Sequence, residues 1–148
     1  HRIVALFTLA NDSIKTLHLD KTTRNRLNRP IDNPKRGRSY PATLIGRIGV
    51  NEEFQGMNVG SQLMQFIKDW FRHEDNKTGC RFLVVDAYNN PRTLHFYEQN
   101  KFSFLHADEA EECAYYNIPT EEAIATRLLY FDWKKPWLYL GISYGERS

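Results

Sequence analysis

The stretch ATLIGRIGVNEEFQGMNVGSQL, Ala42 to Leu63, decides the fold. Leu44, Ile45, Ile48 and Val50 make a β-rich apolar run, and Leu63, Met64, Ile67, Trp70 and Phe71 recur at helical spacing. Between them, Gln55-Gly56-Met57-Asn58-Val59-Gly60 forms a glycine-spaced turn that opens the helix. Gly56 and Gly60 permit positive φ and close approach of a ligand to the backbone. The first-turn amides of the helix have no intrahelical partner and point outward at the positive end of the helix dipole. Such a turn is suited to a pyrophosphate without a cationic side chain, although glycines between a strand and a helix are also ordinary turn residues.

A second motif follows at the right distance. Asn90-Pro-Arg-Thr-Leu-His-Phe-Tyr97, then Lys101-Phe102, is similar to motif B of the GNAT acetyltransferases, and the first stretch resembles their motif A, Gln/Arg-x-x-Gly-x-Gly/Ala. The resemblance spans about Ile3 to Trp133. Two positions depart from it. Asn58 stands where the central glycine is usual, and asparagine is the non-glycine residue that best tolerates the left-handed region. Lys101 stands where a glycine precedes Phe102, and Asn100 is expected to supply the helix-ending turn in its place.

The resemblance implies an α/β GNAT fold: a mixed, mostly antiparallel central sheet with flanking helices, whose strands carrying Val50 and Val85 splay into an acetyl-coenzyme A cleft. By residue, it gives coenzyme-binding roles to Ile48, Gly49 and Val50 on the strand, to Gln55, Gly56, Met57, Asn58, Val59, Gly60 and Ser61 in the turn, and to Asn90. Read locally, Asn90 is a helix N-cap. Tyr97 matches the family tyrosine that faces the coenzyme sulfur, and a phenol of ordinary pKa about 10 can donate a proton at neutral pH. From spacing alone Tyr97 is a core aromatic.

Strands and helices are expected as follows: a strand Ile3 to Ala10 ended by the turn residues Asn11-Asp12-Ser13; a long polar excursion from Lys15 to Pro41 with a short helix near Thr22 to Leu27; the motif A strand and helix to about His73; a strand Arg81 to Ala87; a helix from Asn90 to Asn100; and strands Phe102 to His106 and Ala125 to Trp133 joined by an acidic segment. With 148 residues and 41% hydrophobic content, one domain over 1–133 is predicted, followed by an aromatic tail over 134–148. GNAT domains usually begin with a strand and one or two helices, which have no counterpart after His1, so N-terminal elements are expected to be missing.

Two cysteines, Cys80 and Cys113, and five scattered histidines argue against a disulfide framework and against a bound metal. No apolar run is long enough to read as a signal or membrane span, which gives a cytoplasmic expectation. The net charge of +2 hides a strong asymmetry. Nine basic residues lie between Lys15 and Arg47 against Asp20 and Asp32 alone, which points to an anionic partner such as RNA or to a solvated loop.

Many GNAT enzymes carry a glutamate on the motif A strand, yet Ala42 to Val50 holds no carboxylate. A lysine amine of pKa about 10.4 needs help to lose its proton, whereas an α-amine at about 7.7 to 8.0 is already partly neutral. The acceptor is therefore expected to be an α-amine. Together with the basic excursion, the Tyr40-Pro-Ala and Gly46-Arg47 spellings and the Phe96-Tyr97 pair, this resembles the GNAT toxins that acetylate aminoacyl-tRNA. That resemblance implies tRNA contacts at Arg24, Arg26, Arg36, Arg38 and Arg47, and an antitoxin partner. The alternatives are acetylation of a protein N-terminus or a small amine, or a coenzyme-binding module without catalysis. The aromatic tail can either pack on the core or form a homodimer contact, and the sequence does not choose between them.

Overall fold

The computed structural model describes residues 2–32, 36–73, 75, 78–119 and 121–133. The aromatic tail 134–148 and Lys35 lie outside the described residues. The elements are β1 (Ala5–Lys15), a 3-10 turn (Thr16–His18), α1 (Lys21–Asn28), β2 (Ser39–Val50), a second 3-10 turn (Glu52–Phe54), α2 (Val59–Arg72), β3 (Phe82–Tyr88), α3 (Pro91–Gln99), β4 (Ser103–Phe104), α4 (Glu109–Tyr116) and β5 (Thr126–Asp132). The five strands form one sheet in the order β1-β2-β3-β5-β4. β2 and β3 run parallel and every other neighbouring pair is antiparallel, so the sheet is mixed and mostly antiparallel.

Side-chain alternation along the strands creates two cores. Ile45, Leu83, Val85, Ala87, Leu129 and Phe131 face α2 and α3, where Met64, Ile67 and Tyr97 meet them. Ile14, Tyr40, Ala42, Phe82, Val84 and Tyr130 form the second core with Leu27 of α1 and Tyr115 of α4. Two buried ion pairs lock the edges of this arrangement. Arg81 grips Asp132 with two hydrogen bonds, 2.9 and 2.5 Å, and donates a third to the Leu27 carbonyl, tying β3 to β5 and α1. Arg127 donates to Glu112 at 2.6 Å, and the same carboxylate accepts the Leu128 amide, fixing α4 to β5.

Four features differ from the sequence expectation. β1 continues through Asn11-Asp12-Ser13 to Lys15, because β2 begins at Ser39 and supplies a partner for each of these residues; the ladder overrides local turn chemistry. The helix inside the polar excursion is longer than expected, and Asp20 caps it by accepting from the amides of Thr22 and Thr23. The strand expected over Phe102 to His106 shrinks to Ser103–Phe104. The acidic joining segment is a helix, α4, whose start is legible in hindsight: Asp108 accepts from the Glu111 amide at 2.8 Å, and Glu111 reaches back to the Ala107 amide at 2.7 Å.

Candidate active site

The sheet opens between its two parallel strands. β2 and β3 pair only over Ala42–Leu44 and Phe82–Val84. Beyond that point Ile45 to Val50 keeps its partner in β1 and Val85 to Tyr88 keeps its partner in β5, so the two facing edges carry unpaired backbone groups. A bulge accompanies the opening: the β1 register slips between Thr8 and Leu9, which pair with Arg47 and Ile45 and leave Gly46 unopposed. A Cβ on Gly46 would lie 3.1 Å from the Thr8 hydroxyl, so the bulge favours glycine there. The extra residue also flips the pleat. Ile48 and Val50 turn toward α2 and α3, and by alternation Arg47 and Gly49 turn to the opposite face.

Above the opening sits the turn. Gly56 has φ +80° and Asn58, the residue before α2, has φ +61° and ψ 15°, so asparagine takes the left-handed conformation that glycine usually supplies. Gln55 is tied down, its side-chain amide donating to the Val50 carbonyl at 3.2 Å. The first bond of α2 runs from the Gln62 amide to the Asn58 carbonyl at 3.1 Å, leaving the amides of Val59, Gly60 and Ser61 without intrahelical partners. Gly60 is needed for close approach: a Cβ there would lie 3.1 Å from Phe96 Cε2 and 3.8 Å from Val50 Cγ2. The turn, the end of β2 and α3 thus meet at one point. Met57 is exposed on the outside of the turn.

α3 begins where its sequence says it should. Asn90 accepts from the Thr93 amide at 2.9 Å, with Pro91 at the first helical position, so its local role is an N-cap. At the other end Lys101, not Asn100, adopts the left-handed conformation, φ +67°. The Lys101 amide donates to the Glu98 carbonyl at 2.9 Å and the Phe102 amide to the Tyr97 carbonyl at 3.0 Å, a Schellman closure with lysine in the glycine position. Asn100 instead serves as a strut, its side-chain nitrogen reaching the Phe96 carbonyl at 2.8 Å and the Ser61 hydroxyl at 3.2 Å. Its own carbonyl accepts from the Lys68 ammonium, which also lies over the Phe131 ring at 4.2 Å. Burial lowers the Lys68 pKa to about 8. Sequence patterning gave no warning of this lysine among the apolar positions of α2.

Tyr97 lies in the α2/α3 core, 4% exposed, with Phe96 and Phe102 edge-on at 5.1 and 5.5 Å. Desolvation raises its pKa to about 12, above the ordinary phenol value. The hydroxyl therefore stays protonated throughout the physiological range and is available as a donor there.

The arginines divide into two groups. Arg26 turns inward over the Tyr130 ring at 5.6 Å and reaches the Phe104 carbonyl at 3.4 Å. Arg24 is half-buried on α1. Arg36, whose Nε donates to the Ile31 carbonyl, and Arg38 are exposed in the segment leading into β2, and Arg47 is exposed beside the opening. Among the described residues no group of three metal-ligating side chains comes together, and no helix is long and apolar enough to cross a membrane.

Fold and turn together define a mixed-sheet α/β domain whose parallel neighbours part beneath a turn lined by the free amides at the start of α2. The Acetyltransferase (GNAT) family profile matches residues 27–104, just over half of the chain, and the chain belongs to that family. A search of curated protein sequences gave no match. Among solved structures, AtaT complexed with acetyl-methionyl-tRNAfMet superposes with a TM-score of 0.63 at 17% identity, covering 92% of this chain and 66% of that one. The KacTA–DNA complex gives 0.52 at 18% identity, covering 95% and 66%. The AtaT mutant toxin bound to the C-terminus of the antitoxin AtaR and acetyl-CoA gives 0.51 at 16% identity, covering 94% and 66%. At these identities the likeness is one of fold, and the chain spans just under two thirds of the length of these structures.

Proposed function

We propose that this GNAT domain transfers acetyl from acetyl-coenzyme A to the α-amine of an aminoacyl-tRNA. The observation that carries the coenzyme part is the parting of β2 and β3 after Leu44 and Val84 under the turn at Gly56 to Ser61. Unpaired amides on Val59, Gly60 and Ser61 suit a diphosphate, and the absence of a Cβ on Gly60 lets Phe96 and Val50 pack close against the turn. Apart from the Val50 carbonyl, which Gln55 occupies, the edge at Ile48 to Val50 has N–H and C=O groups to offer the pantetheine arm, and a donor aimed at a thioester carbonyl stabilises the charge that develops there. Tyr97 is assigned the proton for the departing sulfur. Asn90, as the cap of α3, holds the helix that carries Tyr97 in place.

The acceptor assignment rests on charge and on kinship of fold. Arg47 stands exposed beside the opening, Arg36 and Arg38 are exposed in the segment leading into β2, and Arg24 is half-buried on α1; RNA phosphates would meet the exposed ones. Arg26, committed to Phe104 and Tyr130, contributes mainly to packing. Solved proteins of this fold include one in complex with an acetylated aminoacyl-tRNA and others bound to antitoxins, so an antitoxin partner belongs to the same proposal. The competing reading, acetylation of a protein N-terminus or a small amine, uses the same opening without the arginines.

The test is direct. The protein is mixed with acetyl-coenzyme A and charged tRNA, and the aminoacyl group is analysed by mass spectrometry. Acetyl on the aminoacyl α-nitrogen, lost steeply as salt rises, supports the proposal; acetylated peptides or small amines with little salt dependence, and unmodified tRNA, replace it with the competing reading.

A further inference from the structure

The walls of the opening are Ile45 to Val50 and Val85 to Tyr88, and among these ten residues Asp86 is the single carboxylate. Its position follows from the pleat. Val85 and Ala87 point into the α2/α3 core, so Asp86, between them, points to the opposite face, the one to which the bulge at Gly46 turns Arg47. It lies two residues past the last β2–β3 pair, at Val84, and is held in register opposite Leu128. The turn at Gly56 to Ser61 opens α2, on the other side of the sheet. A coenzyme seated on that turn and a carboxylate on the far face would approach the opening from opposite sides. The side chain is exposed, and among the described residues it has no hydrogen bond or ion pair.

We propose that Asp86 is the general base that takes the proton from the acceptor amine, which places the acceptor on the α1/α4 face of the sheet. This rests on the transferase reading above and fills its missing role, since β2 supplies no carboxylate. One proton leaves the nitrogen as its lone pair forms the new bond to the acetyl carbon, and the Asp86 carboxylate takes it. Tyr97 supplies one proton to the sulfur as the C–S bond breaks. Asp86 then releases its proton to water and Tyr97 regains one, so the protein returns to its starting state.

The surroundings of Asp86 suit that task. Partial desolvation raises its pKa, and the charges of Asp12 on β1 and Glu112 on α4 raise it further. Tyr115 and Tyr116 of α4 stand in the same field, each with a raised pKa, so neither offers it a charge. Of the cations on the neighbouring strands, Arg47 of β2 lies on the same face across the opening, and Arg127 of β5 pairs with Ala87 and is bound to Glu112. A carboxylate shifted upward is a better proton acceptor than an ordinary one.

The experiment compares wild type with Asp86→Asn, Asp86→Glu and Asp12→Asn, reading kcat/KM for the acceptor against pH, acetyl-coenzyme A binding, and the carboxyl titration of Asp86 by ¹³C NMR. Asp86→Asn should lower kcat/KM about 100-fold or more, abolish the acidic limb of the profile and leave coenzyme binding intact. Asp86→Glu should retain part of the rate. Asp12→Asn should move both the NMR titration of Asp86 and the acidic limb to lower pH. An Asp86→Asn protein with the wild-type rate and limb overturns the assignment while leaving the transferase reading standing. A wild type that acetylates no amine removes both.

Discussion

Replacing Lys101 with glycine should stabilise the protein, and the size of the gain can be worked from the end of α3. Lys101 sits at φ +67° with both Schellman hydrogen bonds formed, so its conformation is fixed by the closure and cannot relax without breaking it. A residue bearing a Cβ pays roughly 1–2 kcal/mol for the left-handed conformation. Glycine removes that cost but loses roughly 0.5–1 kcal/mol through its greater freedom in the unfolded chain. The balance is a gain of about 0.5–1 kcal/mol, or a rise of about 1–4 °C in Tm for a chain of this size. Removing the charge adds a small increment, because Lys101 repels the buried Lys68 ammonium. Thermal and urea unfolding of Lys101→Gly, Lys101→Asn and Lys101→Ala separates the two effects. Alanine loses the charge and keeps the Cβ, so it should gain little or lose, whereas asparagine should approach glycine. Equal gains for alanine and glycine would refute the backbone explanation and leave only charge.

Tyr97→Phe should cut acetyl transfer sharply while acetyl-coenzyme A still binds, as read by steady-state kinetics beside titration calorimetry; unchanged kinetics would remove Tyr97 from the mechanism. Lys68, lowered from 10.5 to about 8 by burial, binds its proton less firmly in the folded protein than in the unfolded chain. Between about pH 8 and 10.5 the unfolded chain therefore holds more protons, and stability should rise with pH through that window by at most about 3 kcal/mol, at roughly 1.4 kcal/mol per pH unit. Urea unfolding of wild type and Lys68→Met from pH 7.5 to 9.5 checks the sign, since the substitution should flatten the difference. Gly60→Val should clash with Phe96 and Val50, lowering stability by about 1–3 kcal/mol and weakening coenzyme binding in calorimetry.

Most of what positions the site was legible as periodicity and punctuation. The apolar run before Gly56, the helical spacing after Gly60 and the Asn90-Pro91 start of α3 are local signals, and the structure keeps all three. What escaped is non-local. β1 runs through Asn11-Asp12-Ser13 only because β2 lies alongside, and no propensity encodes a partner thirty residues away. The bulge at Gly46 is a property of two strands in register, so the flip that sends Arg47 to the far face could not be read from β2 alone. Asp86 is opaque in sequence for a related reason: in Phe82 to Tyr88 it interrupts an apolar strand, and its setting depends on where the neighbouring strand leaves it, at Val84. The acidic run before Cys113 carried a capping signature that its charge obscured. At Lys101 the helix closure holds a lysine in a left-handed conformation that local preference assigns to Asn100.

The proposed coenzyme site joins the amides from Gly56 to Ser61 to the strand edge from Ile48 to Val50. Backbone amide NMR during an acetyl-coenzyme A titration tests it most directly. Saturable shifts concentrated on those two segments, with the largest at Val59, Gly60 and Ser61, are predicted. Binding that leaves these amides unmoved, or that shifts instead the groove bordered by Leu9, Asn11 and Phe71, would contradict it.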